Sequence, residues 1–349
     1  MKALILQNNT NLVYKNFSDP VMQEDECLIS VKNAGICNSD IYRAYNNGAY
    51  FYPLIMGHEF SGEVIETGSL VTNFKKGGRI IAFPLLPCHK CAFCQKQEYA
   101  QCIKYDYYGS RRHGAFAEYI CIKEWNLLKI SDTVDFEEAC VIEPIAVAMH
   151  VVKKLDVKGY EKAAVIGAGF LGLIIAHYLL NKLNKDSIYV IDRNMDKLSI
   201  IGKYGVNTVY TKEHKNWAEE IRDVDIVIEA CGAVETFRDS LKLVKSHGTV
   251  LWAGNITGAL LLEKSMVSSM LRKEITLKGV WNSSFTHKDN DDWHDSLHYL
   301  EKDNNIVKNL ITHCIELKQG PDFFKTLFMR KSGQKNNFNQ TYIKAVFKI

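Results

Sequence analysis

The chain has 349 residues, 47% hydrophobic and 24% charged, a balance that excludes an intrinsically disordered, collagen-like or coiled-coil protein. Its length predicts about two domains, each able to bury a core. Lys+Arg 43 against Asp+Glu 40 leaves +3, too small and too evenly spread to predict a nucleic-acid partner.

The ten cysteines are the informative count. In a chain this long they do not form a disulfide scaffold, which is a device of small secreted domains. The start, MKALILQNNT, lacks a sustained apolar stretch, so no signal peptide is expected and a cytoplasmic location is. Reduced cysteines are then metal ligands, catalytic groups or buried filler.

Up to about residue 130, apolar runs cut by turn residues (EDECLISVKNAG, GHEFSGEVIETG, GGRIIAF) alternate as strands of a β-rich domain do. Residues 136–155 read as one helix. Strand-like runs then alternate with helical stretches: AAVIG, SIYVID, DIVIEA, GTVLWAG and EITLKGV. That βαβ alternation predicts a doubly wound parallel sheet, making the chain α/β. Residues 163–180 are apolar enough to imitate a membrane span, but three glycines and His177 interrupt them. A buried strand running into a helix is expected there, and no membrane association. Beyond about Trp281 the pattern dissolves into polar, turn-like SSFTHKDNDDW, and a last strand-like piece, YIKAVFKI, follows.

Three groups of residues carry chemistry. Cys37 in GICNSD, His58 and Glu59 in GHEFSG, and Glu143 in IEPIA offer thiolate, imidazole and carboxylate. Such a mixed set suits a catalytic zinc, which takes three protein ligands and keeps a fourth position open. Cys88, Cys91, Cys94 and Cys102 follow C-x2-C-x2-C-x7-C, which suits a closed, tetrahedral structural zinc. Some ferredoxin motifs open with the same spacing, but they continue differently. Gly167, Gly169 and Gly172 in GAGFLG follow a strand-like run and open a helix, as a dinucleotide-binding loop requires. Asp192 ends the next run, where a carboxylate accepts the ribose hydroxyls and repels a 2′-phosphate, favouring NAD over NADP. Its neighbour Arg193 is placed to stack on adenine or, as the lesser alternative, to tolerate a 2′-phosphate.

GHEFSGEV, the four-cysteine segment, HGAFAEYI, IEPIA and GAGFLGL occur in an order and spacing that resemble the zinc-dependent medium-chain dehydrogenase/reductase family over the whole chain. The resemblance implies a GroES-like catalytic domain, residues 1–145 with 286–349, and a Rossmann NAD-binding domain, residues 146–285. It implies two zinc ions per chain, with Cys37, His58 and Glu143 on the catalytic one and Glu59 beside them or exchanging with Glu143. Ser39 matches the hydroxyl that relays the substrate proton in relatives. Arg112 matches a family-wide arginine of structural role, which leaves Arg111 as the candidate for a substrate phosphate. The implied substrate is a small sugar-alcohol phosphate; another polyol phosphate or a free polyol or diol is the alternative. A homodimer or homotetramer is implied as well. His113 and Ala115 depart from near relatives, which carry Asp and Gly there. Cys27, Cys121, Cys140, Cys231 and Cys314 remain as ordinary thiols, with Cys231 expected near the cofactor.

Overall fold

The computed structural model describes residues 1–155, 161–214, 216–302, 305–334 and 340–349. Within them the chain forms two compact units, Met1–Pro144 with Ser284–Ile349, and Ile145–Ser283.

The alternating runs of the first unit become strands. Its main sheet runs, in spatial order, Leu127–Lys129, Arg79–Ala82, Glu59–Thr67, Glu26–Gly35, Lys344–Lys348 and Ile311–Glu316; Tyr119–Lys123 also pairs with Glu26–Gly35. The last strand-like run thus adds an antiparallel neighbour to Glu26–Gly35, with Val346 opposite Gly35. It brings Phe347, fully buried, into edge-on contact with Phe116 at 5.0 Å. Phe324 stacks on the same ring at 6.2 Å. Rings of this size dominate a core, so the end of the chain completes the unit its beginning starts.

The polar stretch after Trp281 is ordered by its own carboxylates. Asp292 accepts the Ser284 N–H at 2.6 Å, and Asp291 accepts those of Thr286, Trp293 and His294 at 2.7–3.0 Å. These bonds fold the turn back onto the start of the helix Asp292–Lys302 and satisfy its free N–H groups.

The second unit is a six-stranded, wholly parallel sheet in the order Asn207–Tyr210, Ile188–Asp192, Ala163–Ile166, Val224–Glu229, Val244–Trp252, Thr276–Gly279. The chain starts in the middle and winds outward to each edge, which is the doubly wound Rossmann order. Asn207–Tyr210 was not among the expected strands, being short and without a buried residue. Residues 163–180 are a strand, Ala163–Ile166, and a helix, Phe170–Leu179, and no described helix is long and apolar enough to cross a membrane. One expectation needs correcting. Residues 136–155 form two helices, Phe136–Ala139 and Ile142–Lys153. Pro144 has no N–H and fits only a first turn, so a new helix begins beside it.

Candidate active site

The strand Glu26–Gly35 delivers Cys37 to the start of a short helix, Asn38–Tyr42, on which Ser39 is exposed. The Cys37 N–H donates to Asp40 Oδ2 at 3.3 Å. Asp40 is fully buried, and its other oxygen lies 3.5 Å from His58 Nδ1. A carboxylate in that position fixes the imidazole tautomer and leaves Nε2 as the ligand nitrogen. Burial alone would lower the His58 pKa, but the charge and hydrogen bond of Asp40, with Cys37, hold it well above the ordinary value.

Glu59 opens the neighbouring strand, opposite Gly35. A Cβ on Gly35 would lie 2.2 Å from Glu59 Oε2, so only glycine leaves the carboxylate room. Glu59 forms a buried ion pair with Lys344, whose ammonium also donates to the Ile36 carbonyl at 3.2 Å. The ligand atoms of Cys37, His58 and Glu59 all lie within 4.8 Å of one another.

Glu143 stands outside this group, in the first turn of Ile142–Lys153. Its Oε1 accepts the Tyr107 hydroxyl at 3.3 Å. Burial pushes its pKa up to about 7, against the downward pull of His58. The Tyr107 ring packs edge-on against His58, centroids 5.7 Å apart, so one side chain touches a ligand candidate with its ring and another with its hydroxyl. Asp40, Tyr107 and Lys344 were not singled out from sequence. Asp40 carried a signal, an acid three residues after Cys37 at a helix start. Tyr107 and Lys344 reach the site only through the fold.

The two adjacent arginines have different surroundings. Arg112 ion-pairs with Asp106. The Arg111 guanidinium lies 4.8 Å from the Tyr50 ring and 4.4 Å from the Tyr105 ring. His113 accepts the Ile55 N–H at 3.2 Å on Nδ1, and its ring meets Phe17 and Phe51 edge-on. The His113 ring therefore fastens a backbone segment.

Cys88, Cys91, Cys94 and Cys102 also place their sulfurs within 4.8 Å of one another, with Cys91–Cys94 at 3.5 Å and Cys88–Cys94 at 3.9 Å. Four sulfurs bound to one zinc at about 2.3 Å stand roughly 3.8 Å apart, so this set fits the ion as it is. Backbone N–H groups of Cys94 and Ile103 pull the Cys91 thiol down to about 6, the direction a metal-binding thiolate needs. The other six cysteines, Cys37 among them, are free thiols too.

In the second unit Gly167 has φ +108°, a conformation open to glycine, and a Cβ there would press on Cys231 at 3.2 Å. A Cβ on Gly172 would lie 1.9 Å from the Gly167 carbonyl oxygen, whereas one on Gly169 would meet nothing within 4 Å. The open space therefore lies at Gly169, the N-cap of Phe170–Leu179, where N–H groups and the helix dipole favour a pyrophosphate. Asp192 Oδ2 accepts the Ala168 N–H at 2.7 Å, which ties the carboxylate to the same loop. Arg193 is exposed beside it.

Comparison with known proteins agrees with this arrangement. The model of the alcohol dehydrogenase GroES-like domain matches residues 23–132, and that of the zinc-binding dehydrogenases matches residues 171–302. Galactitol 1-phosphate 5-dehydrogenase of Escherichia coli (strain K12) is 30% identical over 84% of this chain and 86% of its own. L-galactonate-5-dehydrogenase of the same strain is 27% identical over 81% of this chain and 84% of its own. The crystal structure of galactitol-1-phosphate dehydrogenase from Escherichia coli superimposes with a TM-score of 0.87 at 28% identity, covering 100% of both chains. With both family models matched in order, and Cys37, His58 and the four-cysteine segment inside the first of them, the chain belongs to the zinc-dependent medium-chain dehydrogenase/reductase family and is an oxidoreductase.

Proposed function

We propose that the protein oxidises a secondary hydroxyl of a sugar-alcohol phosphate with NAD, most specifically galactitol 1-phosphate to tagatose 6-phosphate. The observation that carries the reading is the convergence of Cys37, His58 and Glu59, with Glu143 held nearby by Tyr107, in a chain that also folds a dinucleotide loop. The substrate rests on the relatives, whose names specify oxidation at carbon 5 of a six-carbon chain. A cytoplasmic location follows from the same reading.

Bound at this site, zinc supplies a Lewis acid that lowers the pKa of the substrate hydroxyl, and NAD supplies the hydride acceptor. Cys37 and His58 hold the metal, with Glu143 and Glu59 as the carboxylates available for the third position. Asp40 holds the His58 tautomer. Ser39 Oγ, exposed on the helix after Cys37, takes the hydroxyl proton and passes it to solvent, which balances the loss of one hydride. Gly169 and the helix behind it receive the pyrophosphate, Asp192 the adenosine ribose, and Arg193 the adenine. Cys88, Cys91, Cys94 and Cys102 hold a second zinc with no open position.

The edge strand Thr276–Gly279 is exposed at every residue, with Leu271 and Trp281 also exposed nearby. An uncovered edge of this kind is a template for a second copy, which supports a homodimer or homotetramer. Light scattering on the purified chain checks the assembly.

The reading is tested by screening polyols and polyol phosphates for NAD reduction, with zinc measured on the same sample. Turnover of galactitol 1-phosphate with two zincs per chain is expected. A zinc-loaded sample that turns over none of them overturns the reading. NAD should exceed NADP by at least about tenfold in kcat/KM, the value of about 1.4 kcal/mol at Asp192.

A further inference from the structure

Arg111 is an exposed cation that, among the described residues, has no carboxylate partner, while its neighbour Arg112 is spent on Asp106. It is nevertheless held. Two tyrosine rings, Tyr50 and Tyr105, lie within 4.8 Å of its guanidinium carbon. Both rings hold the guanidinium by cation–π attraction. Its five N–H groups lie in the plane of the group and stay available. That is the geometry for forking onto a planar or tetrahedral anion.

The held group is also tied to the metal-ligand candidates. The Arg111 backbone N–H donates to the Tyr107 carbonyl at 2.9 Å, and the Tyr107 hydroxyl donates to Glu143. Tyr105 packs edge-on against Tyr107, centroids 6.4 Å apart, and Tyr107 in turn against His58. A ladder of two rings thus leads from His58 to the guanidinium.

We propose that Arg111, held against the Tyr50 and Tyr105 rings, is the subsite for a terminal anion on the substrate, a phosphate ester or a carboxylate. The inference rests on the polyol reading above and adds the group that selects its charged members. Tyr50 and Tyr105 are positioning residues, since they act through the guanidinium.

The zinc-loaded, full-length protein and Arg111→Ala are compared on galactitol 1-phosphate, L-galactonate and galactitol. The variant should raise KM for the anionic substrate about tenfold to a hundredfold more than for galactitol, with kcat for that substrate changed much less, as loss of a charge-assisted bond predicts. Arg111→Lys keeps the charge without the fork and should recover part of the loss. Tyr105→Leu should shift the same KM by about threefold. A selective loss on galactitol 1-phosphate identifies the ester as the anion, and one on L-galactonate identifies the carboxylate. Equal losses on charged and neutral substrates overturn the subsite. Calorimetric titration with inorganic phosphate separates this proposal from the reading beneath it. Phosphate bound by the parent and not by Arg111→Ala, in a protein that turns over no polyol, keeps the subsite and removes the reading. Phosphate bound equally by both, with normal turnover of galactitol 1-phosphate, does the reverse.

Discussion

The four-cysteine segment and the Cys37 site both gather soft and charged ligands, yet the protein builds around them in opposite ways. Cys88, Cys91, Cys94 and Cys102 come from one stretch of chain, and their sulfurs lie close to tetrahedral spacing. Their surroundings are aromatic: His89, Tyr99 and Trp125 meet edge-on at 4.8–5.7 Å. Around Cys37 every donor has a polar keeper. Asp40 serves Cys37 and His58, Lys344 serves Glu59, and Tyr107 serves Glu143. A closed site is specified by spacing alone because the protein fills every position. An open one must hold ligands from distant segments and leave a position for substrate, so its outer partners set its geometry.

The largest expected effect breaks the open site alone. Cys37→Ser should remove one of two zincs and lower turnover by about a thousandfold or more, the several kcal/mol that a Lewis acid contributes. Metal analysis with steady-state rates checks it, and full turnover in the variant sinks the ligand assignment. Cys94→Ser should invert the pattern. Loss of the closed zinc should cost about 4 kcal/mol and lower Tm by roughly 10 °C, while the folded fraction keeps its turnover. A rate loss as deep as that of Cys37→Ser, with stability intact, would erase the distinction between the two sites.

The same contrast explains what could be read from the sequence. A C-x2-C-x2-C-x7-C run announces itself, as do GAGFLG after an apolar run and the alternating strands around GHEFSG, because one local stretch carries each pattern. The helix break before Pro144 was missed, because the apolar residues on either side continue one helical pattern. The strand Asn207–Tyr210 was missed too, since none of its residues is buried and its hydrophobic period is weak. At the site, Cys37 and His58 stand in marked motifs. The keepers of the two carboxylates do not: Tyr107 comes from the segment after the four cysteines, and Lys344 from the last strand, more than 280 residues beyond Glu59. Nothing local marks a tyrosine or a lysine as a partner across such distances. Glu143 shows the limit most clearly. The motif IEPIA named the residue, but only the structure shows Glu59 nearer to Cys37 and His58 while Glu143 rests on Tyr107.

Asp40→Asn probes the keepers next. The amide preserves shape but removes the charge beside His58 Nδ1, and it can turn its NH2 toward the ring. Zinc affinity at the open site should fall about tenfold to a hundredfold, the usual scale for an outer partner of a metal-bound histidine. The four-cysteine site should keep its ion. Competition with a graded chelator reads both affinities in one sample, and equal weakening of the two would mean that Asp40 supports the fold at large.

The smallest effect is the most discriminating, because it removes one atom. Tyr107→Phe keeps the ring that packs on His58 and deletes the hydroxyl that holds Glu143. If the hydroxyl keeps Glu143 away from Cys37 and His58, its loss frees the carboxylate, and zinc should bind more tightly at the open site, by up to about tenfold. If the hydroxyl instead aims Glu143 at the metal, the same change weakens zinc by a similar factor. The sign of the shift therefore identifies which carboxylate completes the site. Adding Glu59→Gln to Tyr107→Phe completes the comparison, since a variant that depends on Glu143 should lose little further zinc affinity, whereas one that depends on Glu59 should lose most of it.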